Sequence, residues 1–406
     1  MIYFLLPHNY CNLYEYLEYI TENNNKTKTP SISPSLFNYL FEIKEKINHY
    51  QYDWNIYKKY TNPCEYVHTV CPVKKKSISL HKPLSRSYFK LIEIYSSFHL
   101  NFGNAPIRTF HLAEGPGGFI EAIIHLRKCP QDIHYGMTLQ DEQQTDMNIP
   151  GWKKTQHFLQ TNPNVIIENG ITGTGDILSL YNFVYCSEKY KSSMEFITGD
   201  GGFDFSENFN EQENNIGCLL FAQIAFALAM QKRGGVFVLK IFDFFMSHTI
   251  DLLYLLSSFY EKVYIVKPDT SRHANSEKYL VCIGFLHSTS LLFYPFLLST
   301  FKQMYNKNNG QVNNAQVNNT NFDSSVIHFI KKPISYYFTI KLEEYNSTFG
   351  QQQIENIYST LSLIESTDIK NKNARMNELN KMNIQKCIHW CLKYNVPYDC
   401  QWKNII

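Results

Sequence analysis

Four charged side chains stand among apolar neighbours, and they are the first residues with chemistry to offer. Lys240 lies inside Val236-Phe237-Val238-Leu239-Lys240-Ile241-Phe242, where an ammonium group is costly to bury without partners. A lysine so placed needs a reason to be there, and a perturbed functional group is one such reason. Asp200 closes the apolar run that starts at Glu195, and Glu277 stands just ahead of the run Tyr279 to Phe285. Lys90 lies in Ser85-Arg86-Ser87-Tyr88-Phe89-Lys90, where Arg86 and Lys90, four apart, share a helix face. One lysine on a helix is ordinarily just solvated, so Lys90 gains weight only beside the others.

A second group is Glu114-Gly115-Pro116-Gly117-Gly118, between an apolar run and a helix opening at about Phe119. Glycines there let the backbone turn tightly and leave room for a nucleoside where a Cβ would collide; a purely structural turn uses the same residues. The spacing departs from G-x-G-x-x-G, and no G-x-x-x-x-G-K-[ST] loop occurs, so ATP or GTP hydrolysis has no support. Asp176, after a third apolar run, either accepts a hydrogen bond from an adenine amino group or caps a helix.

The elements that must position these residues follow from pattern. Between about 85 and 286, seven short β-branched runs alternate with helical stretches, which means a mostly parallel α/β sheet. Ligands of open α/β sheets bind beyond the carboxyl ends of the strands, so Asp200 and Lys240 are expected to face the same crevice as Gly115 to Gly118. Residues 1–84 read as a helical accessory region, in which Ser33-Pro34 caps and starts a helix buried through Phe37, Leu40, Ile43 and Ile47. Residues 287–406 read as a helical extension with an Asn-rich, disordered insertion at about 305–322, where QVNN occurs twice.

Composition narrows the class. The 406 residues are 44% hydrophobic, 15% aromatic and 18% charged, which excludes global disorder. The net charge is only +2, so affinity for nucleic acid must come from a local patch. Lys74, Lys75, Lys76, Lys82 and Arg86 form one such patch just ahead of the sheet region; a second, from Lys370 onward, reads first as a solvated face. The longest apolar stretches, Leu219 to Met230 and Leu291 to Leu298, are shorter than the roughly 20 residues of a membrane span. No signal peptide is expected at the start. The ten cysteines form no C-x-x-C pair and read as reduced thiols. Cys387, His389 and Cys391 match no standard zinc spacing, so packing is favoured and no metal is assigned.

Taken together, SRSYFKLIEI, EGPGGF, the strand-ending Asp200 with DGGFDF, the in-strand Lys240 and SR-x-x-NSE-x-Y resemble the FtsJ-like RNA ribose 2′-O-methyltransferases, and within them the cap-specific (cap-1 type) group. The resemblance covers about 85–286. It implies a Rossmann-like S-adenosylmethionine-dependent fold: a seven-stranded, mostly parallel sheet with an antiparallel last strand, here with helical N- and C-terminal extensions. It also implies a catalytic tetrad of Lys90, Asp200, Lys240 and Glu277. S-adenosyl-L-methionine is the implied cofactor, held by Gly115, Pro116, Gly117, Gly118, Phe119, Thr138, Asp176 and Asp200.

RNA, and capped mRNA in particular, is the implied partner, contacted by Lys74, Lys75, Lys76, Lys82, Arg86, Arg272, Asn275 and Ser276, with other capping or transcription subunits as further partners and no membrane. Ribosomal or transfer RNA is the alternative substrate, and a catalytically idle RNA-binding subunit the alternative class. A ribose hydroxyl is a poor nucleophile that must be aligned and relieved of a proton, and Lys240 is the residue chosen for that role. Many methyltransferases carry an acid at the end of the second strand, whereas this chain has Thr138 first and an acid only at Asp141. Trp54, Tyr57 and Trp152 are candidates to stack on a methylated guanine, although core packing is the commoner fate of such residues. The Asn/Asp-Pro-Pro-aromatic motif of amino methyltransferases is missing, and the only Pro-Cys, Pro63-Cys64, stands far upstream of the glycine turn. Richness in Asn, Lys, Ile and Tyr suits an AT-rich viral or protist genome; a viral enzyme is expected in the cytoplasm or packaged in the virion, a cellular one in the nucleus.

Overall fold

The computed structural model describes residues 1–22, 29–140, 151–202, 209–309 and 326–405. The chain opens with β1 (Ile2–Leu5), β2 (Leu17–Thr21), α1 (Pro34–Asn48) and α2 (Gln51–Thr61). Proline's fixed φ suits the first turn of α1, and the helix buries Leu40, Ile43 and Ile47 as its period requires. Ser33 makes no side-chain cap; it holds a left-handed conformation at φ 47° instead.

The central segment runs α3 (Ser87–Ser97), β3 (Arg108–Leu112), α4 (Gly118–Arg127), β4 (Ile133–Met137), α5 (Gln156–Thr161), β5 (Val165–Ile167) and α6 (Leu180–Lys189). It continues through β6 (Met194–Gly199), α7 (Gln212–Met230), β7 (Gln231–Ile241), α8 (Ser247–Phe259), β8 (Tyr260–Lys267) and β9 (Lys278–Phe285). Last come α9 (Tyr294–Asn309), β10 (Val326–Ile330), α10 (Tyr336–Glu365) and α11 (Ile369–Lys393). The start of the expected Asn-rich insertion, Tyr305–Asn309, prolongs α9; its remainder lies outside the described residues.

All seven expected runs are strands of one sheet, in the order β1-β8-β9-β7-β6-β3-β4-β5. The pairs from β5 through β7 are parallel, and β9 runs antiparallel to both β7 and β8. The chain leaves β3 toward β4 on one side and later returns to β6 on the other. The carboxyl ends of β3 and β6 therefore flank a topological switch point, where α/β sheets bind ligands. Glu114 to Gly118 follow β3 there, and Asp200 follows β6.

The terminal regions are not purely helical, as the sequence suggested. β1 pairs antiparallel with β8 and adds an eighth strand, while β2 pairs with β10 in a sheet of their own. Without β1, the edge of β8 would leave backbone donors and acceptors unpaired. Helix α7 is long and apolar enough to cross a membrane, but 89% of its apolar window is buried inside the protein. A helix apolar on all sides is a core helix when covered on all sides, and every residue of α7 from Ile216 to Met230 is buried. Three apolar clusters form the core, each combining the central segment with the terminal regions. The largest includes Phe329 and Phe338, the second Tyr66, Trp390 and Trp402, and the third Leu40, Trp54 and Ile357 with Phe245 and Ala274.

Candidate active site

Four elements deliver the four charged residues to one place. Lys90 lies in the first turns of α3, Asp200 just past β6, Lys240 near the end of β7 and Glu277 just before β9. Lys90 Nζ lies 2.6 Å from Glu277 Oε1. Lys240 Nζ lies 3.3 Å from Asp200 Oδ1 and donates to the Asp200 carbonyl at 2.6 Å. The two pairs meet through Tyr279, which stands opposite Lys240 in the β7–β9 register. Its hydroxyl donates to Asp200 Oδ1 at 3.2 Å, and its ring centroid lies 5.8 Å from Lys90 Nζ. Sequence reasoning counted Tyr279 only as the last position of SR-x-x-NSE-x-Y and gave it no role of its own. Gln223 was also missed: wholly buried in α7, it accepts from the N–H of Gly201 at 3.0 Å and fixes the turn that carries Asp200.

Charge and burial compete at these groups. Burial opposes ionisation of Glu277, but Lys90, Arg86 and Lys240 outweigh it and hold the carboxyl well below the usual range. For Lys90, burial is the largest influence and lowers its pKa; Glu277 pulls the other way, and Arg86 reinforces the fall. Burial, then Asp200 and Glu277, push the Tyr279 phenol well above its usual value, so it remains a donor. Two further buried lysines grip the backbone around Glu277. Lys267 donates to the carbonyls of Asn275 and Glu277 at 2.5 and 2.6 Å, and Lys278 to that of Ser276 at 2.8 Å. Lys278 is balanced by Asp243, which also pairs with Lys44 of α1.

The glycine turn sits beside the tetrad, but its glycines serve packing more directly than expected. A Cβ on Gly118 would lie 2.2 Å from Ser85 Oγ, and one on Gly115 would lie 2.5 Å from the Gly151 carbonyl. Gly117, at φ +107°, holds a conformation that other residues rarely adopt. Glu114 is buried; one carboxylate oxygen accepts from Phe119 N–H at 2.5 Å, and the other has no hydrogen-bond partner among the described residues. Burial and the nearby Asp200 charge push its pKa well above the usual value. The Trp152 indole N–H likewise has no hydrogen-bond partner among the described residues.

Thr138 follows β4, with its methyl 3.1 Å from where a Gly115 Cβ would be. Asp176 caps no helix. It accepts from Leu178 N–H at 2.9 Å, while Ser179 caps α6.

A model of the FtsJ-like methyltransferases matches residues 83–285. The chain belongs to that family. The matched segment holds all four tetrad positions and both sides of the switch point of this FtsJ-like domain. Among curated proteins, the chain is 39% identical over 178 residues to a cap-specific mRNA (nucleoside-2′-O-)-methyltransferase 1 of Trypanosoma cruzi, covering 42% of this chain and 46% of that protein. It is 31% identical over 265 residues to a cap-specific mRNA (nucleoside-2′-O-)-methyltransferase 2 of Pongo abelii, covering 61% and 33%. The chain thus spans under half the length of these relatives. A ribosomal RNA methyltransferase structure from Plasmodium falciparum aligns with a TM-score of 0.35 at 21% identity, over 50% of this chain and 98% of that one.

The residues expected to contact RNA around the FtsJ-like core divide. Lys75, Lys76 and Lys82 are exposed, and Arg86 is half-buried beside the tetrad. Lys74 is tied down, donating to the Gln401 carbonyl at 2.7 Å with its ammonium over the Trp402 ring. Two more are engaged within the chain. The Arg272 guanidinium is held by Glu65 at 2.9 and 2.6 Å, and Ser276 is buried with its hydroxyl on Gln212 at 2.5 Å. Asn275 between them is exposed.

Of the aromatic candidates, Trp54 is core and Trp152 packs on Gly117 and Gly136. Tyr57 carries Lys372 over its ring at 4.4 Å. Cys387 and Cys391 are buried in the second cluster. Asp141 lies outside the described residues.

Proposed function

We propose that the chain transfers the methyl group of S-adenosylmethionine to a ribose 2′-hydroxyl of RNA, with the first transcribed nucleotide of capped mRNA as its substrate. The observation that carries this reading is the meeting of Lys90 with Glu277 and of Lys240 with Asp200 around Tyr279, beside the glycine turn. The turn suits a charged, hydrogen-bonding nucleoside, because Glu114 keeps a buried acceptor and Trp152 a buried donor without partners among the described residues. Gly115, Pro116, Gly117, Gly118 and Phe119 would hold that cofactor, with Thr138, Asp176 and Asp200 lining the neighbouring strand ends. When bound, it supplies an electrophilic methyl carbon on a sulfonium.

The residues of the chain do the remainder. Lys240 would steer the 2′-hydroxyl and, acting as the free amine, would take up its proton on methyl transfer. Its side chain is 14% exposed, so the proton has a route to solvent. Asp200 fixes Lys240, and Glu277 fixes Lys90, so that both side-chain nitrogens meet the sugar in one orientation. Such alignment can contribute about 7–11 kcal/mol. Lys75, Lys76, Lys82 and Arg86, exposed or half-buried, would meet phosphates of the same strand.

Both curated relatives named above are cellular proteins, and neither supports the viral source that composition suggested. A transfer assay with labelled S-adenosylmethionine, comparing capped RNA, uncapped RNA, and ribosomal or transfer RNA, tests the reading. Label on the ribose 2′-oxygen of the first nucleotide of capped RNA is the expected result. Label confined to ribosomal or transfer RNA would change the substrate, and no transfer to any RNA would remove the reading.

A further inference from the structure

The loop of residues 268–277 joins β8 to β9 and ends on Glu277. Loop backbone is ordinarily left to water. Here Glu93, Lys267 and Lys278 hold part of it, and side chains that lie outside the segment matching the family model hold its middle. Asn62 Oδ1 accepts from the N–H of His273 at 2.8 Å, and Glu65 takes Arg272 at two points. From the other terminal region, Gln353 Nε2 of α10 donates to the Ala274 carbonyl at 2.9 Å. Trp390 of α11 donates to Glu93, whose carboxylate also receives the N–H groups of Asp269 and Thr270. Ala274 itself is packed into the cluster of accessory helices that contains Leu40, Trp54 and Ile357.

Asn62, Glu65 and Gln353 are 2%, 2% and 4% exposed. Polar groups so buried are costly unless satisfied, and each of these is satisfied by the loop. At the far end of the loop, the Ser271 hydroxyl donates to Glu277 Oε1 at 3.0 Å, the oxygen that faces Lys90.

We infer that the two accessory regions act as a brace for the catalytic loop, and that Asn62, Glu65 and Gln353 are positioning residues that keep Glu277 against Lys90. The inference rests on the reading of Lys90, Asp200, Lys240 and Glu277 as the methyl-transfer machinery. It assigns the terminal regions a part in turnover, although no residue of the brace touches the tetrad's reacting atoms.

The test uses the full chain with Gln353→Ala and Asn62→Ala, each of which removes a neutral hydrogen bond and leaves no charge unpaired. Two readouts are taken: amide hydrogen exchange across residues 269–275, and steady-state methyl transfer with labelled donor. The expected result is faster loop exchange together with kcat lower by about tenfold, with KM for RNA and cofactor within about twofold, as for a misplaced catalytic group. In a Glu277→Gln background, Gln353→Ala should cost little more, because both changes then act through one carboxylate. Unchanged exchange, unchanged kcat, or an equal loss in both backgrounds would overturn the brace. If the unsubstituted chain transfers no methyl group, the catalytic reading fails and takes the turnover role with it. The exchange comparison then still reports whether the accessory regions hold the loop.

Discussion

Lys240 is anchored twice to one residue, through the carbonyl and the carboxylate of Asp200. Its side chain can be cut back to Cβ without touching Glu114, Thr138 or Asp176, so binding and chemistry should separate. Lys240→Ala is expected to lower methyl transfer by about 10²–10⁴-fold, the range for a lost acid–base group. Calorimetric titration with S-adenosylhomocysteine should give a nearly unchanged affinity, and substantial turnover by this variant would exclude Lys240 from the role. A second residue tests the electrostatics away from the site. Burial, with Asp243 nearby, pushes Glu213 up to about 7, against the N–H groups of Met246 and Phe245 that it accepts from. An unfolded glutamate titrates near ~4.3, so between roughly pH 4.3 and 7 the folded chain holds a proton that the unfolded chain has lost. Stability therefore falls as pH rises through that window and levels off above it. Glu213→Gln should flatten the fall, seen as a weaker pH dependence of the urea midpoint. Part of the slope should remain, because burial and Asp269 raise Glu93 to about 7 as well.

At the scale of elements, the contact that sets the site is between the starts of α3 and α4. Gly118 opens α4, and a methyl group there would meet Ser85 Oγ, Ser87 Oγ and, at 3.2 Å, the backbone N of Tyr88. Gly118→Ala must displace both seryl hydroxyls, and its approach to the Tyr88 backbone presses on the start of α3, which carries Lys90. It should cost about 1–3 kcal/mol in chemical denaturation, as overpacking does, and it should lower kcat at the same time. A stable variant with unchanged kcat would show that α3 tolerates the shift. This contact also marks what the sequence disclosed. Lys240 and Asp200 stood out because a charge in or closing an apolar strand conflicts with its surroundings, and the parallel sheet stood out because its buried strands are nearly continuous apolar runs. The purpose of Gly118 did not, since the seryl hydroxyls facing it belong to another helix. Strands β1, β2 and β10 were missed for a related reason. Each is a run of four or five residues whose pairing partner lies hundreds of positions away, so local pattern carries little of the signal. The grip of Lys267 and Lys278 on the Glu277 backbone depends on where a loop folds back, which no spacing reveals.

For the whole molecule, the segment matching the FtsJ-like family shares its core with the terminal regions. Each apolar cluster needs side chains from beyond it, Phe329 and Phe338 in one, Trp390 and Trp402 in another, Leu40 and Trp54 in the third. A chain cut to residues 83–285 is expected to lose cooperative thermal unfolding by circular dichroism and to bind hydrophobic dyes, whereas the full chain melts in a defined transition. A cooperative melt of the fragment would show that the terminal regions are added to a fold already complete. The arrangement of the large sheet has a consequence for how molecules behave in a crowd. Its two rims are β1 and β5, with only four and three residues of open backbone, too little for a strand of another molecule to zip onto. Stripping away the first five residues would uncover Tyr264–Lys267 of β8, lengthen the open rim of that eight-residue strand, and is expected to promote self-association.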